Sequence, residues 1–227
     1  MSSISQHGKP LLPAEGKPSR EDIAHGLVVG IVGGIASGKS EISRILESMG
    51  ASVFNADQIG HRLLNREDIR EKIVKLFGNE CLDARGAVDR KFLAKCFFSG
   101  PSDRLSQLEA ILHPVIFQEA KQAIEAVREN GTQSLLVLDA PLLIEAGWQS
   151  LCDKIIFIDT PLKMRLANIQ SRGWSEQELV VREKTQLALE VKKQFATDII
   201  PNKGSLEDLQ AELLGLPWLA KLIAPNS

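Results

Sequence analysis

Eight consecutive residues, Gly33-Gly34-Ile35-Ala36-Ser37-Gly38-Lys39-Ser40, have the types and spacing to hold a chain of phosphates. They fit the pattern G-x-x-x-x-G-K-[ST]. Glycines let the backbone approach an anion closely and adopt dihedrals that other residues resist. Successive main-chain N–H groups can then converge on the bound oxygens. A helix beginning near Lys39 adds the positive end of its dipole. Lys39 supplies an ammonium for the terminal phosphates. The Ser40 hydroxyl is a hard oxygen ligand for a magnesium ion that also holds phosphate oxygens. A glycine-rich turn with an exposed lysine is the plain alternative, and the flanks decide against it. The apolar run Leu27–Val32 precedes the loop and the amphipathic stretch Glu41–Met49 follows it. Strand, loop and helix therefore occur in the order a phosphate cradle needs.

Two acids stand where such a loop would use them. The second apolar run ends in Asn55-Ala56-Asp57. In open parallel sheets, ligands bind beyond the carboxyl ends of the strands, so Asp57 should face the phosphate loop. It would either orient an attacking hydroxyl and accept its proton, or hold a magnesium-bound water. Its structural alternative is the N-cap of a helix over Gln58–Leu64. The third run ends in Asp139-Ala140-Pro141-Leu142-Leu143. An acid at that strand tip fits a magnesium-associated position, acting through water. The competing role is to start a proline-containing turn.

These residues need a scaffold, and the hydrophobic pattern supplies one. Leu27–Val32, Ser52–Phe54, Leu135–Leu138, Ile155–Ile158 and Asp198–Ile200 read as buried strands separated by helical stretches. The alternation predicts an α/β fold: a five-stranded parallel sheet covered by helices on both faces. The first helix carries Ile42, Ile45, Leu46 and Met49 on one stripe, and Gly50 stops it. A C-terminal helix should turn Leu206, Leu209 and Leu213 to one face. Residues 61–130 hold helix signals and no convincing strand. One stripe is Ile69, Ile73, Leu76 and Phe77. A second is Leu105, Leu108, Leu112, Val115 and Ile116, in which Pro114 should kink or divide the helix. Long insertions in compact domains are usually functional, so 61–130 reads as a helical insert closing over a second substrate. Residues 27–60 and 131–227 then form the nucleotide-binding core. Residues 1–26, with three prolines and few large apolar side chains, read as a mobile extension without the apolar centre of a secretion signal.

Composition sets the outer limits. The 227 residues are 44% hydrophobic, enough for a substantial core. The net charge of −2, from 27 basic and 29 acidic side chains, argues against general nucleic-acid binding. No apolar stretch approaches transmembrane length. Cys81, Cys96 and Cys152 lack pairing or C-x-x-C spacing, which suits a reducing compartment and argues against structural zinc. His61 and His113 have no partner at ligand spacing.

Taken together, the motifs resemble the dephospho-coenzyme A kinase family over nearly the whole stretch from Val28 to Ser205. The matching pieces are Gly33–Ser40, Asn55-Ala56-Asp57, Arg90 with Leu93, and Leu112-His113-Pro114. They continue with Asp139-Ala140-Pro141-Leu142-Leu143-Ile144-Glu145, Arg172, Arg182 with Gln186, and Asn202-Lys203-Gly204-Ser205. The phosphate loop is common to many kinases. The P-L-L-x-E element and the histidine–proline pair are more specific. The resemblance implies a nucleoside-monophosphate-kinase-like P-loop core, a helical substrate domain, and a helical lid over about 162–192. It implies transfer of the γ-phosphoryl of ATP to the ribose 3′-hydroxyl of dephospho-coenzyme A, with magnesium. The missing secretion signal, the unpaired cysteines and the ATP requirement point to the cytoplasm, and no nucleic acid, membrane or obligate protein partner is expected. Asp57 matches the catalytic aspartate. Arg90 and His113 match the substrate-binding insert. Leu142, Leu143 and Glu145 match the segment lining the site, and Asn202 and Gly204 the turn near the adenine.

The chain departs from the family pattern in places. Asn55 stands where many members have Asp. In the lid helix Leu162–Arg172 the usual Gln, Arg, Arg set is Arg165, Asn168, Arg172, all on one face. Arg165 would reach the phosphates in place of the arginine absent at 168, or activity is weakened. The stretch from Arg172 to Gln186 is one residue shorter than usual, and Thr197-Asp198 replaces Ala-Asp. Two other readings stay open: a kinase for another small metabolite or a nucleoside monophosphate, and an ATP-binding module that has lost its chemistry.

Overall fold

The computed structural model describes residues 26–99, 102–130 and 134–223. Five strands form one sheet: β1 (Leu27–Gly33), β2 (Ser52–Asn55), β3 (Leu135–Asp139), β4 (Lys154–Asp159) and β5 (Asp198–Pro201). Their order is β2-β3-β1-β4-β5, and every pairing is parallel. Each strand lies where the apolar runs place it, to within a residue at either end. All seven residues of β1 are buried.

The helices are α1 (Lys39–Ser48), α2 (Ala56–Leu63), α3 (Glu67–Phe77), α4 (Arg90–Ser99), α5 (Ser102–Glu129), α6 (Leu162–Gln170), α7 (Glu176–Glu183), α8 (Leu189–Gln194), α9 (Leu206–Leu214) and α10 (Pro217–Ile223). Alternate residues of each strand point to opposite faces, and both faces are covered. On one, Val28, Val32, Leu136, Leu138 and Phe157 meet Ile116, Ala120 and Ile124 of α5, with Leu189 and Phe195 packed alongside. On the other, Val29, Ile31, Val137 and Ile156 meet Ile42 and Leu46 of α1, Leu209 and Leu213 of α9, and Trp218. Burial on both sides is why the strands read as continuous apolar runs rather than alternating ones.

Residues after α2 build a separate apolar cluster from Leu64, Ile69, Ile73, Phe77, Cys81, Val88, Leu93 and Leu108. The only pairing of strand type there, among the described residues, is an isolated bridge between Leu82 and Val88. Helix α5 is one continuous helix of 28 residues with Pro114 inside it, so proline does not divide it. A proline removes one intrahelical bond and crowds the preceding turn. Here the flanking turns are anchored on opposite sides, Leu108 in the helical cluster and Ile116, Ala120 and Ile124 under the sheet. Leu206 is the second correction: it opens α9 with half its surface exposed, while Leu209 and Leu213 are buried. The expected N-terminal extension lies outside the described residues except for Gly26, which is buried against Val127 and so belongs to the packed fold. No helix among the described residues is long and apolar enough to cross a membrane.

Candidate active site

The phosphate loop is cross-braced from three directions. Ala36 sits in the left-handed region at φ 60°, which costs a residue with a Cβ about 1 kcal/mol or more. The side-chain amide of Asn168, on α6, donates to its carbonyl at 3.0 Å. The next carbonyl, of Ser37, accepts from the Thr160 hydroxyl at 2.7 Å and the Asn202 amide at 3.0 Å. With those carbonyls engaged, and apart from the Ser37 N–H, which donates to the Gly34 carbonyl at 3.2 Å, the loop's N–H groups are left to face an anion. Gly38 caps α1 with φ 97°, and a Cβ there would come within 2.8 Å of the Asn202 amide. Position, dihedral and neighbour thus all require glycine.

Lys39 begins α1 and folds back over the loop, donating to the carbonyls of Gly33 at 3.1 Å and Gly34 at 2.8 Å. Its pKa is lowered from 10.5 to about 8, first by burial and then by the charge of Lys192, with Arg172 and Arg165 pushing the same way and Asp139 opposing them. The ammonium is therefore held largely among like charges. Ser40, the next residue, is exposed in the first turn of α1, and its hydroxyl has no hydrogen-bond partner among the described residues.

The acids gather at neighbouring strand ends. β2, β3 and β1 lie side by side, with Asn55 in register with Asp139. Asn55 is the N-cap of α2: its side chain accepts from the Gln58 N–H at 2.9 Å, and its amide donates to Asp139 at 3.0 Å. The capping role considered for Asp57 thus belongs to Asn55. Asp57 lies one residue inside α2, exposed, with no side-chain hydrogen bond or ion pair among the described residues. Burial raises the Asp139 pKa first, and the charge of Asp57 adds to it, while Lys39 and the Asn55 amide work against them. Asp57, Asp139 and Lys39 consequently share one electrostatic environment. Ser40 and Asp139 together offer hard oxygen ligands of the kind magnesium takes. Among the described residues no three His, Cys, Asp or Glu side chains gather as a metal site.

Helix α6 supplies a second wall. Arg165 is neither on a solvated face nor extended into open space. It is buried, ion-paired with Glu183 of α7, with its Nε lacking a partner. A Cβ at Gly34 would lie 2.8 Å from its Nη1, so the guanidinium lies directly against the phosphate loop. Arg172 is exposed just beyond the end of α6. Ile35 and Ala36 pack against Ile169, Leu166, Leu179 and Trp174, and the guanidinium of Arg182 lies 4.1 Å above the Trp174 ring.

The remaining expected site residues take varied places. Leu142 is half-buried, and Leu143 is in the core, against Gly30 of β1. Glu145 accepts from the Leu187 N–H and from Lys192, each at 2.9 Å. Gly204 leaves room for the Asp208 carboxylate, which closes a capping box with Ser205 at the start of α9. Arg90 opens α4 and His113 lies on α5. Both are exposed, and neither side chain has a hydrogen bond or ion pair among the described residues.

A cavity of about 620 Å³ lies between α2 and α5, lined by Phe54, Ile59, Arg62, Pro114 and Gln118 among others. It uses the face of α2 turned away from Asp57 and contains none of the expected site residues. The residues missed from the sequence are Thr160, Asn168 as a brace, and Lys192. Lys192 interrupts the apolar stripe Leu189, Phe195, Ala196, which marks it as facing inward.

A family model described as dephospho-CoA kinase matches residues 27–208. A dephospho-CoA kinase of Dehalococcoides mccartyi is 35% identical over 81% of this chain and 92% of its own length. One from Corynebacterium diphtheriae is 36% identical over 82% and 94%. Among solved structures, a Thermus thermophilus protein is 34% identical with a TM-score of 0.71, over 87% of this chain and 98% of its own. A dephospho-CoA kinase from Campylobacter jejuni is 27% identical with a TM-score of 0.63, over 83% and 94%. With the braced phosphate loop, the acids at adjoining strand ends and these matches, the chain belongs to the dephospho-CoA kinase family.

Proposed function

We propose that the chain transfers the γ-phosphoryl group of ATP to the ribose 3′-hydroxyl of dephospho-coenzyme A, giving coenzyme A and ADP in the last step of coenzyme A biosynthesis. The observation that carries this reading is the electrostatic coupling of Asp139 with Lys39 and Asp57 beside a phosphate loop whose Ala36 and Ser37 carbonyls are held by Asn168, Thr160 and Asn202. In the reaction the acceptor oxygen forms a bond to the γ-phosphorus as the bond to the β-phosphate oxygen breaks, and the hydroxyl proton leaves to a base. Asp57 is exposed and unencumbered, so it aligns that hydroxyl and takes its proton. The loop amides and Lys39 hold the β- and γ-phosphates. To reach them, Lys39 exchanges its two carbonyl acceptors for phosphate oxygens.

Ser40 and Asp139 would hold a magnesium ion, Asp139 through water; bound there with ATP, it neutralises charge developing on the phosphates. Arg165 already lies against Gly34, and Arg172 approaches as residues 162–192 close. Cationic contacts of this kind contribute several powers of ten in rate when they meet the transition state. Residues 61–130 receive the acceptor, with Arg90, His113, Leu142 and Glu145 on its side of the cleft. Asn202 and Gly204 form the turn beside the adenine. A cytoplasmic location fits the need for ATP. A coupled ADP-release assay tests the reading. ADP should form rapidly only when dephospho-coenzyme A is present. ATP binding without transfer to that acceptor, or equal transfer to another small metabolite or a nucleoside monophosphate, would overturn it.

A further inference from the structure

Gly34 has no side chain, and a guanidinium fills the space one would need. A Cβ there would lie 2.8 Å from Arg165 Nη1 and 3.0 Å from its Cζ, so Arg165 packs directly on the second residue of the phosphate loop. The same Nη1 donates to Glu183, the last residue of α7. The two partners are buried unequally: the arginine side chain is 6% exposed and the glutamate side chain 29%. Glu183 also sits at the C-terminal end of its helix, where the dipole disfavours a negative charge. Arg165 Nε is buried without a partner among the described residues, and so is the Ser37 hydroxyl, which lies 2.7 Å from where a Cβ on Gly33 would sit. Burying polar groups unpaired is costly, and a tie meant only to join α6 to α7 gives no reason to place them here. The unpaired donors instead collect beside the first two glycines of the loop.

We propose that Glu183 is a positioning residue that competes with the nucleotide for Arg165: its carboxylate holds the guanidinium in the empty site and yields it to a terminal phosphate when ATP binds. Carboxylate and phosphate oxygens meet a guanidinium through the same fork of N–H donors, so one can replace the other while the arginine stays against Gly34. Burial decides which partner leaves. Glu183 already touches water and can turn into it, whereas Arg165 is enclosed. The unpaired Nε–H is a further donor for the incoming phosphate oxygens. The exchange also releases a tie between α6 and α7, the two helices of the proposed lid, so nucleotide binding and lid movement share one contact. The inference rests on the proposal that this loop binds ATP.

The test is a double-mutant cycle read by calorimetry of ATP with magnesium and without acceptor. Glu183→Gln should tighten ATP binding about tenfold, because the arginine no longer has a charged competitor. Arg165→Gln should weaken it about thirtyfold or more. Adding Glu183→Gln to Arg165→Gln should then change ATP affinity by no more than about twofold, since nothing is left to compete for. A merely structural tie predicts that Glu183→Gln weakens ATP or leaves it unchanged, and either result would overturn the proposal. The same tightening with and without Arg165 would also overturn it, since Glu183 would then act by plain charge repulsion of the nucleotide. Should Arg165→Gln fail to fold, Glu183→Asp makes the same distinction. It keeps the charge but draws the carboxylate back by one methylene, so competition predicts tighter ATP binding and plain repulsion predicts none. If the unmodified protein binds no ATP, the functional proposal itself fails instead.

Discussion

The two sides of the cleft are built differently. On the proposed nucleotide side four loop carbonyls are held by side chains, while the Ser37 and Ser40 hydroxyls and the Arg165 Nε have no partner among the described residues. Asn168, Thr160 and Asn202 hold successive loop carbonyls, Lys39 holds two more, and Arg165 is paired with Glu183. On the side we propose for the acceptor, Asp57, Arg90 and His113 stand exposed, without side-chain hydrogen bonds or ion pairs among the described residues. The first side is organised before a ligand arrives, so little is left to order on binding. The second side keeps its functional groups in water until the acceptor brings them together. A kinase gains from that division, because a loose acceptor side leaves ATP unreactive toward water until the cleft closes.

The comparison can be broken from either side. The largest expected effect is on the acceptor side. Asp57→Asn should lower turnover by about 10²–10⁴-fold, with ATP affinity within about threefold of the original, measured by steady-state kinetics and calorimetry. On the nucleotide side, Arg172→Ala should lower kcat by a factor of about 10³ if the residue meets the transition state. An effect confined to KM would place it in ground-state binding instead.

Next in size is a stability effect of opposite sign to the functional one. Lys39 carries a folded-state pKa of about 8 against 10.5 unperturbed. Its charge therefore works against folding in the nucleotide-free protein. The cost is fully present below pH 8 and fades as pH rises toward 10.5, where the unfolded chain also loses the proton. Lys39→Met should abolish phosphoryl transfer yet stabilise the empty protein by up to about 3 kcal/mol at pH 7. The gain should shrink across pH 8 to 10.5 in denaturant titrations. A loss of stability at pH 7 would mean that the two carbonyl contacts outweigh the burial of charge.

The smallest effect concerns the braces. Asn202→Ala leaves the Ser37 carbonyl with the Thr160 hydroxyl alone. It should cost about 1 kcal/mol in thermal unfolding and weaken ATP about tenfold or less, with affinity for the acceptor unchanged. Equal losses for both substrates would show that the two sides are not independent.

How much of this was legible in the sequence follows from how local each feature is. The phosphate loop and the five strands depend on short-range spacing and on burial of both sheet faces, so eight residues and five apolar runs suffice to find them. The capping alternative for Asp57 fails because Asn55, two residues earlier, already satisfies the Gln58 N–H. Of the two expectations for Pro114, division fails, because α5 is gripped on both sides of the proline, a contact that local sterics cannot register. Arg165 and Lys192 were harder still. Their burial is decided by α7 and by the packing of α8 on β1, contacts between segments far apart in the chain. A charged residue in a short helix carries only a faint periodic sign of facing inward.

The most direct test of the central claim is a single-turnover experiment following the γ-phosphoryl of labelled ATP onto dephospho-coenzyme A, with the unmodified protein and with Asp57→Asn. The unmodified protein should move the label to the ribose 3′-oxygen in one fast phase, and the variant should bind ATP while transferring at least about a hundredfold more slowly. Equal transfer rates in the two proteins, or label appearing only in free phosphate, would contradict the account.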